Sequence, residues 1–238
     1  MEIPPFRTAF QPIVDVETGI AIAQEALVRG PNGEGAITVL RAIPPALRDP
    51  ADRAIRRGAL ATALRLGLTE TPAMLSVNIY PSAVVGPHGV EATLADAAEL
   101  GFPADRLVFE INEAEPVEDV PAMARTLKAL QRRGVRIMLD DVGTGFARLP
   151  LLLEWKPDAA KVAREVIIGL DHDAERHAAT KGLISQLAAL RIITMVEGIE
   201  TVAEMQALRG LGVRAMQGFL FARPGLEILP VPVMPAPL

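Results

Sequence analysis

The feature that most constrains this chain is a rhythm of short apolar runs separated by helix-like stretches. The runs fall at Ala73–Ile79, Leu107–Ile111, Val135–Leu139, Ala159–Val162, Ile192–Val196 and Val213–Met216. Between them lie helical patterns that include Val90–Leu100, Val120–Arg133, Glu175–Leu190 and Thr201–Leu211. Near-continuous apolar strands alternating with helices predict a parallel sheet covered by helices. Upstream, Thr8–Asp15 and Ile20–Arg29 read as two strands joined by a turn at Asp15–Gly19, an early hairpin. Two further helical patterns, Thr38–Leu47 and Asp52–Leu66, are broken by Pro44-Pro45, and the second stops at Gly67. About eight strands in 238 residues favour an α/β fold closed as a (β/α) TIM-like barrel over an open doubly wound sheet. Neither the Rossmann fingerprint nor a P-loop pattern occurs. We expect a single domain over 1–238, with the barrel at about 6–224 and a proline-rich tail over 225–238 draped across it.

Charge and composition narrow the function classes. Net charge is −5, so the chain carries no basic footprint for duplex nucleic acid. It contains no cysteine, which removes disulfides, thiolate chemistry and cysteine zinc sites together. The start, Met1-Glu2-Ile3-Pro4-Pro5, has no signal-peptide pattern, and no apolar run approaches the ~18–20 residues of a membrane span. The expectation is a soluble, cytoplasmic protein.

The candidate chemistry stands where the apolar runs end. Glu25 lies in the second strand, Asn78 follows Leu75-Ser76-Val77, and Glu110 follows Leu107-Val108-Phe109. Asp140 and Asp141 end the run Ile137-Met138-Leu139, ahead of Val142-Gly143-Thr144-Gly145-Phe146. Lys161 sits among apolar residues, Glu197 follows Val196, and Gln217 follows Met216. In a (β/α) barrel that edge is the active-site face. An acid pair alone reads either as a helix cap or as a divalent-cation ligand. Two adjacent strand residues point to opposite faces, so sharing a site requires the strand to have ended, with Gly143 and Gly145 supplying the end. Taken as a set, the acids repel one another unless something positive lies between them, and one lysine cannot neutralise them all. Carboxylates with an asparagine carbonyl suit Mg²⁺, Mn²⁺ or Ca²⁺, and this many acids suit two ions, the usual apparatus for displacement at phosphorus. Lys161 is one of four lysines against 20 arginines and suits a water or phosphate oxygen. Arg29 is placed to clamp a phosphate. His88, His172 and His177 show no ligand spacing, and Trp155 serves packing or stacking.

These residues resemble the EAL family of cyclic di-GMP phosphodiesterases. The matching segments are Phe10-Gln11-Pro12-Ile13-Val14, Glu25-Ala26-Leu27-Val28-Arg29, Ser76-Val77-Asn78 and Glu110-Ile111-Asn112-Glu113. They continue in the family's order with Asp140-Asp141-Val142-Gly143-Thr144-Gly145, Lys161-Val162-Ala163, Glu197-Gly198-Ile199-Glu200 and Gln217-Gly218-Phe219-Leu220-Phe221. The resemblance implies a modified (β/α)8 barrel with one early antiparallel strand, and metal-dependent hydrolysis of cyclic di-GMP to the linear dinucleotide. It implies Glu25, Asn78, Glu110 and Asp140 as ligands of a first Mg²⁺ or Mn²⁺ ion, Asp140 bridging, and Asp141 as ligand of a second. Glu197 would be the general base or a further ligand, and Lys161 would hold the attacking water. Arg29 and Gln217 would contact substrate, and Gln11 would line its groove. Glu113 would anchor the loop after Asp141, with Glu200 in support. Ca²⁺ is expected to inhibit, and a homodimer and a regulatory protein partner are implied.

Three positions depart from the family pattern. Ala163 stands where Lys-x-Asp is usual and removes an oxygen from the second ion's site. Val142 replaces an aromatic anchor, and Tyr80 a common serine. The resemblance therefore supports an active phosphodiesterase and, as the alternative, a catalytically impaired module that binds cyclic di-GMP or a protein partner. A third reading keeps only a metal-dependent barrel acting on another phosphoester or an enolisable acid.

Overall fold

The computed structural model describes residues 2–112, 119–143 and 154–235. Its sheet strands are β1 (Arg7–Asp15), β2 (Ile20–Arg29), β3 (Met74–Ile79), β4 (Leu107–Asn112) and β5 (Arg136–Val142). They continue with β6 (Ala159–Val162), β7 (Ile193–Val196) and β8 (Ala215–Met216), and a short β9 (Gly225–Leu226). Spatial order is β2-β3-β4-β5-β6-β7-β8-β1, and pairing of β1 with β2 closes an eight-stranded barrel. β2 through β8 pair in parallel, whereas β1 runs antiparallel to both β2 and β8. The cause is local. Asp15 Oδ1 accepts from the Glu17 amide at 2.9 Å, and Gly19 takes φ +72°, so the chain reverses at once and cannot make a crossover.

Helices α1 (Ala36–Ala42), α2 (Arg48–Arg65), α3 (Val90–Leu100) and α4 (Val120–Arg132) cover one side of the barrel. The short α5 (Arg164–Ile167), α6 (Ala174–Ala189) and α7 (Val202–Gly210) cover the other. The expected Thr38–Leu47 helix stops at Ala42, because Pro44 and Pro45 redirect the chain into a single 3-10 turn at Pro45–Leu47. α2 begins four residues earlier than expected, since Pro50 in its first turn lacks only an N–H that has no helical partner there. α7 opens on a capping box, Thr201 with Glu204.

Strand alternation builds the barrel interior in two layers. Ile13, Ala23, Met138, Met195 and Ala215, joined by Met74, Val108 and Ala159, form an apolar plug. Two residues on along each of the seven parallel strands, on the same face, come Glu25, Ser76, Glu110, Asp140, Lys161, Glu197 and Gln217. β1 runs the other way, so Gln11 precedes Ile13. One layer excludes water and the next carries charge. The tail follows the barrel: Glu227 N donates to Thr8 O (2.9 Å), and Val233 N to Phe221 O (3.0 Å). Pro230 O accepts from Gln24 Nε2 at 3.2 Å. No helix among the described residues is long and apolar enough to cross a membrane.

Candidate functional site

Lys161 is the centre of the polar layer. Its Nζ lies 2.5 Å from Glu110 Oε2, 3.2 Å from Asp140 Oδ1, 3.4 Å from Glu25 Oε2 and 3.7 Å from Glu197 Oε2. Lys161 and Glu110 are both fully buried. Burial lowers the Lys161 pKa, but Glu110, Glu25, Asp140 and Glu197 overcome it and hold the ammonium well above its usual value. Lys161 is a permanent cation, not a base.

One ammonium does not balance four carboxylates. Burial, then the charge of Glu25, pushes Glu110 up to about 8 despite the lysine. Burial raises Asp140, and raises Glu197 to about 7. Burial also works against ionised Glu25, but Lys161 and hydrogen bonds from Gln217 and Asn78 bring its pKa below the usual value. The layer therefore retains protons near neutral pH and has capacity for further positive charge.

Hydrogen bonds from side chains on other strands hold Glu110 and Glu25. Ser76 Oγ donates to Glu110 Oε1. Gln217 Nε2 donates to Glu25 Oε2 (2.8 Å) and to Gln11 Oε1 (3.3 Å), while Gln11 Nε2 donates to Ala222 O (3.0 Å). Asn78 Nδ2 reaches Glu25 Oε1 at 3.3 Å from an exposed position at the mouth.

Asp140 and Asp141 meet for a reason the sequence reading did not anticipate. β5 does not end before them but runs to Val142. Its pairing with β6 shifts register between Leu139 and Val142, and Asp141 adopts φ +58°. This bulge turns the second carboxylate toward the first. Asn112 Nδ2 donates to Asp141 Oδ2 at 2.6 Å. Oxygens of Asp140, Asp141 and Glu197 all lie within 4.8 Å of one another.

The residues fit a divalent cation. Gln217 Oε1 is buried without a hydrogen bond, and Asp140 Oδ1 has only the Lys161 ammonium, 3.2 Å away and shared with three other carboxylates. Buried acceptors short of donors, in an all-oxygen set, are what a hard cation requires.

The remaining expected residues are dispersed. Arg29 is half buried and donates to Val28 O (2.8 Å), with no carboxylate paired to it among the described residues. Burial lowers its pKa, opposed by Glu25. Glu200 points away from Glu197 to Arg164, 3.0 Å distant, and Arg164 also donates to Gly198 O. Ala163 is fully buried at the start of α5, its N–H on Val142 O (3.3 Å). Val142 is packed in the core, whereas Glu113 and Thr144, Gly145 and Phe146 lie outside the described residues. Trp155 is buried, with Nε1 on Gln131 Oε1 at 2.8 Å, so it packs. Ser76, Asn112 and Arg164 were missed by sequence reasoning. For the first two the signal was present, since each shares the inward phase of a strand with an expected ligand, Asn78 or Glu110.

Beside the acidic layer, a cavity of about 310 Å³ opens between β2, β3 and the helices α1 and α2. Leu27, Leu40, Ile55, Ile79 and Tyr80 line it, and Glu25 and Asn78 stand at its edge.

Comparison with known proteins agrees with this geometry. The EAL domain family model matches residues 3–224. The chain is 29% identical over 224 residues to the blue light- and temperature-regulated antirepressor BluF of Escherichia coli (strain K12), covering 93% of this chain and 55% of that protein. It is 29% identical over 221 residues to the bifunctional diguanylate cyclase/cyclic di-GMP phosphodiesterase MucR of Pseudomonas aeruginosa, covering 90% of this chain and 32% of MucR. The chain thus spans about half or less of the length of these curated relatives. Among solved structures, a standalone versatile EAL protein from Vibrio cholerae O395, in its c-di-GMP bound form, superposes with a TM-score of 0.90 at 35% identity over 98% of both chains. The calcium/cy-diGMP complex of Klebsiella pneumoniae BlrP1 superposes at 0.87, with 30% identity over 94% of this chain and 57% of that one. By the family-model match over residues 3–224 and by its barrel fold, the chain belongs to the EAL domain family.

Proposed function

We propose that the protein hydrolyses cyclic di-GMP to the linear dinucleotide with Mg²⁺ or Mn²⁺. The observation that carries this reading is the Lys161-centred carboxylate layer, with the Asp140, Asp141 and Glu197 oxygens converging at its edge. The c-di-GMP bound forms of the related EAL structures supply the substrate class.

In this reading Glu25, Asn78, Glu110, Asp140 and Asp141 would hold the divalent ions. When bound, such ions neutralise charge at the phosphate and acidify water. Lys161, kept protonated by its acidic neighbours, orients the attacking water. Glu197, whose carboxylate oxygen converges with those of Asp140 and Asp141, accepts the water's proton. Water oxygen bonds to phosphorus in line, one 3′–5′ P–O bond breaks, and the departing 3′ oxygen takes up a proton. Arg29 binds the phosphate, Gln217 and Gln11 contact the ligand, and one base enters the cavity beside Glu25. Glu113 and Glu200 act as loop supports in a homodimer, in a cytoplasmic setting.

The test is incubation of purified protein with cyclic di-GMP across a Mg²⁺ and Mn²⁺ titration, followed by chromatography for the linear product. Absence of product at millimolar metal sinks the enzymatic reading. One observation favours a second reading: Ala163, its N–H on Val142 O, brings no side-chain oxygen to the strand end that carries Asp141. A receptor would bind cyclic di-GMP in Ca²⁺ and turn it over in no metal.

A further inference from the structure

Phe219 is the one substantially exposed aromatic side chain among the described residues, at 48%. Its exposure does not come from a loose backbone. Gln217 N donates to Val196 O (2.9 Å), Ile199 N to Gln217 O (3.0 Å), Leu220 N to Ile199 O (3.0 Å) and Phe221 N to Gly218 O (3.1 Å). Gly218 packs so closely on the Ile199 backbone that a β-carbon there would clash, and Phe221 is buried in the core. A rigid turn therefore presents the Phe219 ring to solvent. The Arg223 guanidinium sits 4.4 Å from the ring centroid. That is cation–π range, so the arginine backs one face and fixes the ring's orientation. The pair lies beyond β8, with Phe219 two residues and Arg223 six residues past Gln217, whose amide holds Glu25.

We propose that Phe219, backed by Arg223, is a stacking platform for a purine base of the bound nucleotide. The inference rests on the function proposed above. A cyclic dinucleotide carries two bases, and the cavity beside Glu25 takes one. The other needs a flat apolar surface at the same edge of the barrel, and Phe219 offers one. Ring stacking does not depend on base identity, so the platform contributes affinity, while discrimination rests with the polar groups of the layer.

The experiment is calorimetric titration of cyclic di-GMP in Ca²⁺ for the wild-type chain and for Phe219→Ala, Phe219→Leu and Phe219→Trp, with thermal melting as a check on folding. Stacking is worth ~1–3 kcal/mol per base, which corresponds to about a 5- to 150-fold rise in Kd for Phe219→Ala. Phe219→Leu keeps apolar bulk without a π face and is expected to weaken binding similarly, while Phe219→Trp retains it. Arg223→Ala is expected to lose about 2- to 5-fold. If the wild type binds and the Ala or Leu variant binds within twofold of it, the platform is overturned and the proposed function stands. If the wild type binds no cyclic di-GMP, the proposed function itself fails, and the platform with it.

Discussion

The Asn112 amide donates a 2.6 Å hydrogen bond to Asp141 Oδ2 while Asp141 is held in the left-handed backbone region at φ +58°. An aspartate tolerates that region better than most residues, but the carboxylate must still be aimed. Asn112, inward on β4 two residues after Glu110, does the aiming. Asn112→Ala is expected to weaken Mn²⁺ binding about 10- to 100-fold, the range for groups that orient ligands, with little change in melting temperature. Titration calorimetry checks this, and an unchanged Mn²⁺ isotherm counts against it.

Ala163 begins α5 with its N–H on Val142 O, next to the Asp141 bulge. Ala163→Asp adds a carboxylate there and a better helix cap. The second ion should then bind roughly tenfold or more tightly, with a gain in turnover, as expected for a restored oxygen ligand. A rise in melting temperature without tighter metal binding would assign the new side chain to capping alone.

Lys161 is the cation shared by Glu25, Glu110, Asp140 and Glu197. Lys161→Met leaves those buried carboxylates uncompensated, a loss of about 3–5 kcal/mol. For a chain of this size that corresponds to a melting temperature roughly 10 °C lower in metal-free buffer at pH 7. Differential scanning calorimetry decides the matter, and equal melting temperatures would show that the lysine carries no such role.

The pH dependence has a definite sign. Glu197 and Glu110 titrate near 7 and 8 in the fold, above the ordinary carboxylate range. The folded state therefore binds more protons than the unfolded chain between about pH 4.5 and 8. The stability these groups contribute is present below the ordinary carboxylate pKa and is lost as pH rises through 7 and 8. Glu25, held below its usual value, acts the opposite way, but only at acidic pH. Metal-free protein should melt lower at pH 8.5 than at pH 6, whereas Mn²⁺ affinity should rise over the same interval as protons leave. A melting temperature that climbs with pH in chelator contradicts the assignment.

Elements bounded by strong local signals were readable in advance. β2 and α3 span the expected residues, Ile20–Arg29 and Val90–Leu100, because turns and glycines bracket them. β8 shrinks from the expected Val213–Met216 to Ala215–Met216, and β9 was not foreseen. Pairs of this length depend on which neighbour lies alongside, and no local pattern encodes that. The four-residue α5 was invisible for the same reason.

The amino-acid sequence by itself determined the strand–helix rhythm, the hairpin that reverses β1, and the residue type at each strand end. All three follow from side-chain periodicity and turn chemistry, which act over a few residues. Only the tertiary structure decided that β5 continues through both aspartates and bulges at Asp141, that Ser76 and Asn112 hold carboxylates, and that Lys161 serves four acids together. Those outcomes depend on the register of separate strands around a closed barrel. Register sets which charges share a low-dielectric interior, and there a few ångströms decide whether a carboxylate keeps its proton.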